Sequence, residues 1–254
     1  DYVTLKNIVF LNANKSAIVN ESDVKVIDCS FKNNISNHNG SAIQNSGNLT
    51  AVNCYFENNS STWKYADGGA INNEGSAFLK GCLFISNHSQ YSGGAIYTSG
   101  EMHLNCCVFK QNNSQIGGAI RSYGGRTHLT DCLFEDNSAS TGAGLYIYGS
   151  DGQFSLTFSR FLSNVSKIGG CIYMNTDHEM AEISECSFKD NSAVRGGVIF
   201  NNDDSSLTIE KSTFESNRAD NEGGVIYGGR LNVISSRFCE NISGGYGNAL
   251  YNTH

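Results

Sequence analysis

Nine cysteines are the first residues in this 254-residue sequence with a reactivity of their own. Six of them (Cys29, Cys54, Cys82, Cys107, Cys132 and Cys186) stand two residues before a phenylalanine, and Ser159, Ser212 and Ser236 hold the same place elsewhere. Residues two apart share one face of a strand, so these side chains would collect into one inward column of small groups. Neighbours in that column would lie within the Cα range of a disulfide, but their parallel Cβ vectors oppose the bond, so packing is the expected role. Cys171 is expected in the same interior. Cys106 and Cys239 each adjoin an inward residue, so alternation predicts that they are exposed, where an oxidising compartment would let them pair with another chain.

Carboxylates and aromatic residues supply the other candidates. Asp151, then Asp177 and Glu179 beside His178, then Asp203 and Asp204 lie in three insertions about one repeat apart. Converging from adjacent loops they would suit Ca²⁺, which takes six to eight oxygens, but solvated acidic loops are the favoured account of them. No other cofactor is expected. His103 and His128 stand one repeat apart, and two imidazoles alone are a weak metal signal. Residues 60–67 hold the only tryptophan, and Trp63 with Tyr65 could stack on a sugar or cover the edge of the fold. Eleven Asn-x-Ser/Thr sequons occur. Asn14, Asn20, Asn39, Asn48 and Asn58 are the expected glycan acceptors, because the other six coincide with a repeated asparagine.

That repeat defines the elements that must position these groups. Phe followed three residues later by Asn occurs nine times, from Phe31–Asn34 to Phe238–Asn241, and the Phe spacings are 25, 28, 25, 25, 27, 27, 26 and 24. Phe10 opens a degenerate tenth copy. A second motif interleaves with it, as in Gly68-Gly69-Ala70-Ile71, Gly93-Gly94-Ala95-Ile96 and Gly117-Gly118-Ala119-Ile120. The period lacks helical i, i+3, i+4 spacing, and glycine pairs would break helices. One coil of short strands per repeat remains, so the chain is expected to be all-β, a right-handed single-stranded parallel β-helix of about ten coils. Residues 1–254 read as one β-helix repeat domain, or as a piece of a longer solenoid. The repeated Asn is expected at a turn with unusual φ and, stacked on itself, in an amide ladder. The residue after the motif Ile should face solvent. It is aromatic in five consecutive coils: Tyr146, Tyr173, Phe200, Tyr227 and Tyr251. Such an outward stripe suits a receptor or glycan, and it would also stabilise a sheet without any ligand.

The pairing of the GGAI and FxxN motifs over essentially the whole chain resembles the polymorphic membrane proteins of chlamydiae. It is similar too to the adhesin-like β-helix proteins of methanogenic archaea. The resemblance implies an extracellular or cell-surface solenoid used in adhesion, with no catalytic residues to carry over. Its partners would be a host or neighbouring-cell receptor or glycan. The alternative is a structural subunit of an extracellular filament or sheath, assembled by one coil stacking end to end on another. A polysaccharide-active enzyme is the least favoured reading, because the acidic cluster contains no Lys or Arg and no nucleophilic triad is recognisable, so no catalysis is expected. A net charge of −7 argues against nucleic acid, and no apolar run is long enough for a transmembrane helix.

Overall fold

The computed structural model describes residues 2–149, 153–176, 180–202 and 205–252, and every regular element in them is a β-strand. Each coil gives one strand to each of three ten-stranded parallel sheets. The first sheet runs from Tyr2–Lys6 to Arg230–Ile234, the second from Val9–Leu11 to Arg237–Cys239, and the third from Ile18–Asn20 to Leu250–Tyr251. Equivalent residues face each other from coil to coil: Phe84 pairs with Phe109, Ile71 with Ile96 and His103 with His128. The chain is therefore the ten-coil parallel β-solenoid that its period implies.

Three corners close each coil. Just before the Cys/Ser place the backbone turns left-handed, with φ of 50° at Asp28, 51° at Asn53 and 53° at Asp131. A second corner lies just before the ladder asparagine, at Asn33 (53°), Ser86 (53°) and Gln111 (56°). The unusual φ expected of the repeated Asn thus belongs to its predecessor, which leaves the Asn itself free to point inward. The third corner is the glycine pair. Gly93 has φ of 59°, and a Cβ on Gly94 would collide with the carbonyl oxygen of Gly118 in the next coil.

The interior is a set of columns. Ten phenylalanines from Phe10 to Phe238 stack with ring centroids 4.5–4.9 Å apart. Each buried ring contributes roughly 1.5–3 kcal/mol by leaving water. The six column cysteines and Cys171 are buried beside them, and all nine cysteines are free thiols.

Beside the rings runs the asparagine ladder. Asn112 Nδ2 donates to Asn137 Oδ1 in the next coil (3.0 Å) and to the Phe84 carbonyl in the previous one (3.0 Å). Its own Oδ1 accepts from the backbone N–H and the Nδ2 of Asn87, both at 3.0 Å. The same pattern runs from Asn34 to Asn241. A second, shorter ladder lies in the third sheet, where Asn20 donates to Asn45 (2.6 Å), Asn45 to Asn73 (2.6 Å) and Asn73 to Thr98 (3.0 Å). Further along, Ile147 and Met174 take the same column and the ladder becomes apolar.

On the outside of the second sheet, the column after the Phe reads Leu11, Lys32, Glu57, Ile85, Lys110, Glu135, Leu162, Lys189, Glu215. Every Lys pairs with the Glu of the next coil, at 3.1, 3.0 and 2.7 Å, and an apolar residue separates the pairs.

Replacing Asn112 by Ala removes one acceptor from two buried donors and a donor from two buried oxygens. At about 1–3 kcal/mol for each orphaned donor, the substitution should destabilise the chain by roughly 3–5 kcal/mol. Asn241→Ala, at a half-buried rung, should cost less than half as much. Urea unfolding followed by far-UV circular dichroism checks this, and equal losses for the two variants would refute a ladder that depends on burial.

Candidate binding face

The aromatic stripe forms as its period requires. Tyr146, Tyr173, Phe200, Tyr227 and Tyr251 are register partners in the third sheet, with ring centroids 4.8, 5.2, 4.8 and 5.5 Å apart. The first four rings lie within 9° of parallel. All five side chains are half-buried, not fully turned to solvent as the sequence predicts. The reason is the stacking itself. Offset-stacked rings cover one another's faces, so what remains open along the column is the rim of each ring and its hydroxyl. Burial pushes the Tyr146 hydroxyl up to about 12 and raises Tyr173 as well, so both stay protonated donors.

One residue that no motif marks in the sequence extends this stripe. Arg121 occupies the column between Tyr97 and Tyr146. Its guanidinium carbon lies 5.7 Å from each of those rings and 5.5 Å from Tyr91 and Tyr123. An arginine among tyrosines looks like a break in a column of letters, yet by cation–π attraction it continues the stack. Arg121 Nη1 donates to Ser92 Oγ at 3.1 Å and lies 3.7 Å from Asp67 Oδ1, while the Ser92 hydroxyl donates to the same Asp67 oxygen. Both charged side chains are largely enclosed, 14% and 20% exposed, and Nε of Arg121 is buried with no hydrogen-bond partner. Burial raises the Asp67 carboxyl above its ordinary 3.8, and the Ser92 hydrogen bond and the Arg121 charge oppose that rise.

The Trp63 loop joins the same face. Trp63 meets Tyr65 edge-on at 5.3 Å, Tyr65 meets Tyr91 edge-on at 6.2 Å, and Tyr91 borders Arg121. Trp63 and Tyr65 are each 53% exposed. Lys64 lies over the Tyr65 ring, with Nζ 4.6 Å from its centroid, so Trp63 has the less covered ring face. Two features read separately in the sequence are one continuous surface, from the loop of the third coil to Tyr251.

The remaining candidates fall elsewhere. Asp151, Asp177, Glu179, Asp203 and Asp204, the Ca²⁺ candidates, lie outside the described residues, and so does His178. Among the described residues no three His, Cys, Asp or Glu converge as metal ligands. His103 and His128 stack at 5.0 Å, and their nitrogens reach Glu101 (3.1 Å) and Ser155 (2.7 Å) respectively. Cys106 is exposed and Cys239 half-buried. Cys106 sits on a left-handed corner (φ 53°), and its hydrogen bond to Asp131 (3.3 Å) holds the thiol above its usual range, which lowers its thiolate fraction. Of the expected glycan acceptors, Asn14, Asn48 and Asn58 are exposed and Asn39 is half-buried. Asn20 is a correction: it is 7% exposed, with its amide committed to the second ladder, so the folded chain does not offer it.

Stacked coils with buried Phe, Cys and Asn columns, and an outer face of aromatic rings joined through Arg121, define a parallel β-solenoid. A family model described as right handed beta helix region matches residues 1–161, and the chain belongs to that family. A second model, the Chlamydia polymorphic membrane protein repeat, matches residues 211–229 and points to an outer-membrane or surface protein of adhesin-like type. No curated protein matches the chain. No helix among the described residues is long and apolar enough to cross a membrane.

The buried Asp67 gives this face a pH signature. The folded chain holds the Asp67 proton more tightly than the unfolded chain does, so the cost of the buried carboxylate is fully present above the folded value. It is relieved as pH falls through that value toward 3.8. In urea unfolding, the parent should gain stability relative to Asp67→Asn as pH falls from neutral across this window. A difference that stays flat or moves the other way would show that Asp67 is not held by burial.

Proposed function

We propose that this chain is the binding portion of an extracellular or cell-surface adhesin, and that its recognition surface is the aromatic face from Trp63 to Tyr251. The observation that supports the reading most directly is the continuity of that face through Arg121. The partner class is a cell-surface glycan or glycoprotein. Tyrosine rims and hydroxyls along the column suit hydrogen bonding to sugar hydroxyls, and the open faces at the Trp63 loop suit stacking on a sugar ring. The role is binding without catalysis. In its support, the interior asparagines from Asn34 to Asn217 spend their amides on the ladder, and the Arg121 charge faces Asp67 within the fold.

Trp63→Ala combined with Tyr65→Ala tests the proposal, because neither ring belongs to the core. Labelled chain should bind cultured epithelial cells and a subset of a glycan array. The double variant, with unchanged circular dichroism, should bind about 30-fold more weakly, the roughly 2 kcal/mol expected of an aromatic hot spot. A parent that labels neither surface, or a variant that binds as tightly as the parent, would overturn it.

A further inference from the structure

The eleven sequons divide sharply once the coils are stacked. Asn34, Asn59, Asn87, Asn112 and Asn164 are at most 1% exposed, and each Nδ2 donates both to the next rung and to a Phe carbonyl of the coil before. Asn20 belongs to the second ladder, and Asn241 gives its amide to the Phe214 carbonyl at 2.9 Å. Four of the sequon hydroxyls are structural as well. Ser61 donates to the Gly68 carbonyl (2.9 Å), Ser114 to Gly117 (2.9 Å), Ser166 to Gly169 (2.8 Å) and Ser89 to Ala66 (2.6 Å). Asn-x-Ser recurs because one coil needs an amide for the ladder and a small hydroxyl for the glycine corner. Where the rung is Asn137, Asn191 or Asn217, Ala139, Ala193 or Ala219 takes the serine's place and the sequon vanishes. The remaining acceptors, Asn14, Asn39, Asn48 and Asn58, all lie in the first three coils.

We infer that N-glycosylation and folding exclude each other at six of these seven ladder sites, all but Asn241, whose amide gives a single bond and is withheld only once the chain has folded, and that the chain matures by a route in which no N-glycosyl transfer precedes folding. Transfer joins Asn Nδ2 to the anomeric carbon of a sugar, releases one amide proton and expels the diphosphate leaving group of a nucleotide- or lipid-linked donor. The product keeps one N–H where a ladder rung uses two, and the next rung's oxygen lies only 2.8–3.0 Å away. A coil modified before it stacks therefore cannot close on its neighbour. The folded chain accepts sugar only at Asn14, Asn39, Asn48 and Asn58.

A soluble N-glucosyltransferase that uses UDP-glucose tests both halves. Purified folded chain is treated with the enzyme, and in parallel the chain is co-expressed with it in a bacterial cytoplasm, where nascent chain is exposed. Mass spectrometry reads site occupancy, and circular dichroism with protease resistance reads folding. Glucose should enter the folded chain only at those four residues. Co-expressed chain carrying glucose at Asn59, Asn87, Asn112 or Asn164 should occur only in the insoluble or protease-sensitive fraction. Glucose at any of these in the folded arm, or a soluble and protease-resistant chain that bears it, would overturn the inference.

Discussion

The structure depends on registry between coils, and the buried amide is the interaction that enforces it. Stacked phenylalanines supply more free energy, but apolar contact is non-directional and tolerates sliding and exchange. An Asn rung does not. Its oxygen accepts two hydrogen bonds and its nitrogen donates two, all inside the protein and all to fixed places in the adjoining coils. A strand misplaced by one residue would leave those groups buried and unpaired, which is the costly case for a polar group. Hydrophobic columns hold the stack together, and the ladder selects the one stack that forms.

Legibility in the sequence followed the same division. The Phe, Cys and Asn columns could be read because one residue type recurs at a fixed offset. The left-handed corners could not, because Asn33, Ser86, Gln111 and Glu240 share a backbone angle and no side-chain type. The second ladder was hidden for a related reason: Asn20, Asn45, Asn73 and Thr98 change chemistry along the column and then give way to Ile147 and Met174. Arg121 was the hardest. Its partners Asp67 and Ser92 stand just before the corner glycines of two earlier coils, while Arg121 follows the motif Ile, so they belong to different columns that only the spatial stack brings together.

The period of the coil also limits what an aromatic column can recognise. Rings one coil apart spend their faces on each other, so a longer column adds rims and hydroxyls but no new stacking platform. An open ring face requires a departure from the repeat. The third coil has the longest stretch between its ladder Asn and its glycine corner, residues 60–67, and there Trp63 and Tyr65 are half exposed. In this architecture the regular positions build the surface, and the irregular ones leave ring faces open on it.

The charge column on the second sheet shows the same economy on the solvent side. Parallel in-register stacking puts identical positions next to each other, which penalises any repeated charge. Lys followed by Glu in the next coil turns that constraint into an attraction, and the apolar residue that follows keeps Glu57 from facing Lys110 directly across a strand pair. Each pair is thus closed on itself, with 3.1 and 3.0 Å contacts at Lys32–Glu57 and Lys110–Glu135. A solenoid can repeat its backbone without variation only if its outer charges do not repeat with it, and in this column that need is met over every three coils.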